Sequence, residues 1–105
     1  MEEIREWRKK IDELDRKLVA LLNERAQAAR AIGRLKSQTK MRIYEPDREK
    51  IIFENVAGTN SGPLSETDLK QIYERIIDIM RNIQKVEIGS ESAPLSGTTE
   101  RDFND

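Results

Sequence analysis

Arg25 stands where an apolar residue belongs. Ile4, Trp7, Ile11, Leu14, Leu18 and Leu21, then Ala28, Ile32 and Leu35, recur at alternating spacings of three and four, which is one stripe of a long helix. Position 25 falls in that stripe and holds an arginine. A buried guanidinium is costly unless an anion meets it. Lys36 follows eleven residues later, about 1100° around a helix, so the two cations face the same way. They are ~16 Å apart along the axis, within the span of two long side chains closing on one small ligand. Arg8 precedes Arg25 by seventeen residues, which places it ~25 Å away and about 100° off in direction. It cannot share a site with Arg25 of its own straight helix, but it can share one with Arg25 of an antiparallel partner. Later in the chain, Arg48 and Glu49 flank the apolar side at Ile52, and Gln84 follows Met80 by four. Cations, one carboxylate and one amide pointing inward from several helices describe a polar pocket inside a bundle, suited to a small anion.

Each of these residues also has a plain structural reading. Arg25 can snorkel or pair with a glutamate of a neighbouring helix. Lys36 near a helix C-terminus is a favourable dipole partner. Arg8 lies in the charge run Arg5-Glu6-Trp7-Arg8-Lys9-Lys10, which by default is solvated. Arg48 and Glu49 suit the surface of a helix start. Their joint placement, not any one of them, makes the case for a site.

Composition narrows the chemistry. The chain has 105 residues, 37% charged and 36% hydrophobic, with no cysteine and no histidine. That excludes disulfides, thiolate nucleophiles and imidazole bases, and removes the commonest metal ligand. No metal or other cofactor is expected. The net charge of −1 is too small for a nucleic-acid binder that works by counterion release. No apolar run approaches membrane-spanning length and no signal peptide precedes the first charges, so a cytoplasmic protein without membrane contact is expected.

The elements that must position these residues read as an all-α protein. The first helix is expected from about residue 3 to 37. It has no proline, a single glycine at Gly33, and is filled with Ala, Leu, Glu, Lys and Arg, all good helix formers. Its length of roughly 50 Å exceeds what a compact monomer with a radius of gyration near ~13 Å can cover. The 3.5-residue period predicts a seam along a second chain. Ser37 to Tyr44 reads as a loop. Pro46 opens a second helix, with Asp47 and Glu49 in its first turn, and Gly58-Thr59-Asn60-Ser61-Gly62-Pro63 stops it. Ser65 caps a third, whose stripe is Leu69, Ile72, Tyr73, Ile76, Met80 and Ile83, fading near Gly89. The organisation expected is a helical domain over 1–88 and a flexible acidic tail or linker over 89–105.

At these residues the chain resembles the all-helical chorismate mutases of the shikimate pathway, from about Ile4 to Lys85. The resemblance rests on Arg8-x-x-Ile11-Asp12-x-Leu14-Asp15, Leu21-Leu22-Asn23-Glu24-Arg25, Ile32-Gly33-x-x-Lys36, Pro46-Asp47-Arg48-Glu49 and Ile76-Ile77…Gln84, in that order. It implies an intertwined homodimer of three-helix chains with two equivalent sites, each completed by Arg8 in trans. It also implies roles. Arg8 and Arg25 would hold the two carboxylates of chorismate, and Lys36 would reach a carboxylate and the ether oxygen of the breaking bond. Gln84 would be the second donor to that oxygen, and Arg48 would order the site. Glu49 would receive the ring hydroxyl, helped by the backbone N–H of Glu45. Met80 takes a place where relatives often carry a small or hydroxylic residue, and is expected only to line the pocket.

The reaction implied is the intramolecular Claisen rearrangement of chorismate to prephenate. It moves no proton and uses no nucleophile, so a chain without histidine or cysteine can perform it. It needs a folded substrate conformer and donors at the ether oxygen. Three other readings keep the fold: an isochorismate-pyruvate lyase, a prephenate- or chorismate-sensing regulatory domain, and a helical dimerisation module without ligand. The motif Tyr44-Glu45-Pro46-Asp47-Arg48-Glu49 and the loop Asn60-Ser61-Gly62-Pro63 resemble mutase domains fused to the first enzyme of the pathway.

Overall fold

A computed structural model describes residues 1–92 as three helices: α1 (Glu2–Thr39), α2 (Pro46–Thr59) and α3 (Glu66–Ser92). No strand occurs among the described residues. α1 packs along α3, and α2 packs on α3. The radius of gyration is 17.2 Å and the long axis extends 55 Å, which is the length of α1 itself.

The ends of the helices follow local chemistry. α1 runs two residues past the expected Ser37 and closes on Lys40, in the left-handed region at φ 60, whose N–H donates to Lys36 O. Pro46 occupies the first turn of α2, and Glu45 O accepts the Glu49 N–H at 3.0 Å. In the following loop Asn60 Oδ1 accepts the Gly62 N–H and Asn60 Nδ2 donates to Leu64 O. Gly62 there takes φ +82, a conformation that glycine adopts freely. Ser65 Oγ accepts the Asp68 N–H at 3.0 Å, the N-cap expected of it. α3 does not fade at Gly89 but continues to Ser92, so residues 89–92 are helix and not tail. The rest of the expected tail lies outside the described residues.

The core is small: among the described residues the buried apolar ones are Ala29, Ile77 and Met80. The apolar stripe of α1 divides in two. From Ile4 to Leu21 its members stay between 48% and 70% exposed. Further on, the side of α1 that meets α3 is Ala29, Gly33 and Lys36, one residue round from the expected Ala28, Ile32 and Leu35, which face outward. The physical reason is Gly33. A Cβ added there would stand 3.0 Å from Gln84 Cα, so the helices approach most closely where α1 has no side chain. The larger residues of the stripe are left for another surface.

Candidate active site

Arg25, Ala29, Gly33 and Lys36 recur at helical spacing, and this face turns toward α3. Across from it, the chain after α1 folds back so that Ile43, Glu45 and the first turn of α2 close over Lys36. The result is a cavity of about 70 Å³ lined by Arg25, Lys36, Glu45, Arg48, Glu49, Met80 and Gln84. Ile52, Ile77 and Arg81 complete its wall. Seven of the eight residues singled out from the sequence therefore meet at one place. The eighth, Arg8, is exposed on the N-terminal half of α1 and does not line the cavity.

Lys36 is the most deeply placed of the cations, at 5% exposure. Its Nζ donates to Ile43 O at 3.0 Å and lies 2.7 Å from Glu45 Oε1. An ammonium has three N–H donors, so one remains for a ligand. The Glu45 side chain thus holds Lys36 in place, a role beyond the backbone contact expected of this residue. The Glu45 N–H finds no backbone acceptor among the described residues, so that contact too stays open.

Arg81 was not singled out from the sequence. Its Nε lies 3.0 Å from Glu49 Oε2, and its guanidinium sits 5.4 Å over the Tyr44 ring. The pair is close but poorly aligned, and Arg81 Nε is buried with no hydrogen-bond acceptor; Gln84 Oε1 is buried and unsatisfied in the same way. Arg81 precedes Gln84 by three residues, one helical turn, and that spacing is the signal that could have found it. Met80 is buried at 6% exposure and contributes wall.

The cavity holds four cations and two carboxylates. Lys36 pairs with Glu45 and Arg81 with Glu49. Arg25 and Arg48 make no ion pair or side-chain hydrogen bond among the described residues. Two uncommitted guanidiniums beside two internally balanced pairs leave a site with spare positive charge, apt for an anionic ligand. No cluster of acidic side chains able to hold a metal occurs among the described residues. No helix among them is long and apolar enough to cross a membrane.

This fold and donor set are those of an all-helical protein with a cationic cavity between its helices. The family model described as chorismate mutase type II matches residues 7–85, and the chain belongs to that family. A bifunctional chorismate mutase/prephenate dehydratase of Aquifex aeolicus is 39% identical over 89 residues, covering 81% of this chain and 25% of that protein. The protein of the same name from Neisseria gonorrhoeae is 36% identical over 70 residues, covering 67% of this chain and 19% of its own length. A chorismate mutase of Methanocaldococcus jannaschii is 39% identical over 56 residues, covering 53% of this chain and 57% of that protein. The chain thus spans about a quarter or less of the bifunctional relatives and somewhat over half of the monofunctional one.

Proposed function

We propose that the chain is a chorismate mutase, an isomerase that rearranges chorismate to prephenate in aromatic amino acid biosynthesis, in the cytoplasm. The observation that carries this reading is the convergence of Lys36 and Gln84 on one cavity beside two uncommitted guanidiniums. Chorismate is a dianion with an ether bond to break, and the site offers charge for the first and donors for the second.

In this reading Arg25 takes one carboxylate. The partner subunit's Arg8 takes the other, because the Arg8 of the same chain lies outside the cavity. Fixing both carboxylates selects the folded conformer in which the new C–C bond can form, which removes orientational entropy from the barrier. Negative charge grows on the ether oxygen as the C–O bond lengthens. The third N–H of Lys36 and the carboxamide N–H₂ of Gln84 meet that charge. Ile43 O and Glu45 hold Lys36 before the reaction starts, so it is placed to bind the transition state better than the ground state. Glu49 and the Glu45 N–H address the ring hydroxyl, Arg48 orders the site, and Met80 is wall.

The homodimer belongs to the same proposal. The exposed stripe from Ile4 to Leu21 is the seam it would use, and burying each such side chain contributes about 1.5–3 kcal/mol. A fusion of this helical domain with another enzyme of the pathway is in keeping with relatives whose names join a mutase to a prephenate dehydratase.

The test is direct. The purified protein is given chorismate and, separately, isochorismate, and prephenate and pyruvate are quantified. Prephenate from chorismate is expected, with Lys36→Ala and Gln84→Ala each lowering kcat/KM by about 100-fold while the helical signal is retained. Pyruvate from isochorismate with no prephenate from chorismate would replace this reading with the lyase.

A further inference from the structure

Arg81 stands at the boundary of two cavities. Beyond the site lies a more open groove of about 460 Å³ between α2 and α3, with Phe53, Glu74 and Asp78 in its walls. Glu49, Ile77 and Arg81 belong to both. The Glu49–Arg81 pair is therefore part of the partition between the site and the groove. It is partly withdrawn from water, with 18% of the Glu49 side chain and 34% of the Arg81 side chain exposed.

Glu49 lies in the first turn of α2. A carboxylate there is attracted to the free N–H groups of its own helix end. In the structure it is instead drawn across to α3, where Arg81 Nε lies 3.0 Å from its Oε2. The Tyr44 ring beneath the guanidinium, at 5.4 Å, favours a cation in that position. The contact is an ion pair and not an aligned hydrogen bond, since Arg81 Nε, though buried, has no hydrogen-bond acceptor. The other oxygen of the carboxylate, Oε1, makes no hydrogen bond among the described residues.

We propose that Arg81 is a positioning residue that holds Glu49 across the cavity by one oxygen, leaving the other to accept the ring hydroxyl of the substrate. This rests on the mutase reading above. Arg81 thereby governs selection for the hydroxyl and not the rearrangement itself, whose donors are Lys36 and Gln84. An acceptor prepared for a hydroxyl discriminates strongly against an analogue that lacks one, because the analogue leaves the buried group unpaired.

The experiment compares chorismate with the analogue lacking the ring hydroxyl. The proteins are the unaltered chain, Arg81→Met, Arg81→Lys, Glu49→Gln and the double variant Arg81→Met/Glu49→Gln. Arg81→Met is expected to lower kcat/KM on chorismate by about tenfold or more and to leave the analogue within about twofold. The double variant is expected to be no worse on chorismate than Glu49→Gln alone, and Arg81→Lys to recover part of the preference. If Arg81→Met does not fold, Arg81→Gln replaces it with the same expected outcome. Equal losses on both substrates, or no loss on either, overturn the proposal while the mutase reading stands. An unaltered chain that does not turn over chorismate overturns both.

Discussion

Gly33 and Gln84 meet backbone to backbone. A Cβ at position 33 would lie 3.0 Å from Gln84 Cα and 3.3 Å from the Gln84 carbonyl oxygen. Glycine in the middle of a helix costs about 1 kcal/mol relative to alanine, and α1 accepts that cost where the two helices must come this close. Lys36 follows Gly33 by one turn, so this single contact sets how the two proposed ether-oxygen donors face one another.

Gly33→Ala is therefore expected to lower stability despite its better helix propensity. Overpacking of about 1–3 kcal/mol exceeds the gain of about 1 kcal/mol, and the neighbour that must move is the backbone of Gln84. Because that backbone carries Gln84, kcat/KM should fall about tenfold or more. Thermal unfolding and chorismate turnover measure the two effects. Full activity at an unchanged melting temperature would mean that α3 shifts without consequence for the site.

Arg8 and Arg25 should complement each other between chains. Arg8→Ala and Arg25→Ala homodimers are each expected to be inactive, and exchanging their subunits should restore one intact site per heterodimer. Activity is followed as the two proteins are mixed, with exchange confirmed by mass spectrometry. Confirmed exchange without recovered activity would remove Arg8 from the site.

Glu87 ties α3 to α1 through Arg30 Nε and Arg34 Nε, each at 3.1 Å. Hydrogen bonds from Arg30 and then Arg34 hold its carboxyl below the usual range, against the opposing effect of burial. A carboxyl whose folded pKa lies below its unfolded value of about 4.3 stabilises the fold above that pH, and the contribution is lost as pH falls through the folded value. Glu87→Gln should thus be less stable than the unaltered chain at pH 7, with the gap closing in acid. Both arginines are half exposed, so added salt should narrow the gap at neutral pH. Urea unfolding at pH 7, 5 and 3 measures it. A gap that does not change with pH would assign the effect to packing.

Catalysis should persist through mildly alkaline pH, because the donor at position 84 is an amide with no proton to lose. In Gln84→Glu the side chain must be protonated to donate, so the optimum of kcat/KM should move toward acid with the fold intact. A variant that keeps its full rate at pH 8 would show that Gln84 does not face the breaking bond.

Much of this protein was legible in the sequence because its information is local. Helix-forming residues and the stop at Gly58 to Pro63 located three helices, and Ser65 capped the third as expected. The eleven-residue interval placed Arg25 and Lys36 on one face, because helical geometry alone determines that. The unpartnered stripe from Ile4 to Leu21 was visible in its spacing, and the family pattern added Glu45 and Met80.

What the tertiary structure decided was the meeting of faces that lie far apart in sequence. The period of α1 could not tell Ala29-Gly33-Lys36 from Ala28-Ile32-Leu35 as the side against α3, since apolar content favours the second set and only the close approach at Gly33 selects the first. Arg81 reads as one more charge on a charged helix until Glu49 and Tyr44 arrive beside it from another part of the chain. The pairing of the Glu45 side chain with Lys36 depends on the turn after α1. Helix formation is set by neighbours within a few residues, whereas these contacts join groups whose separation is fixed only when the chain has turned back and its helices have closed on one another.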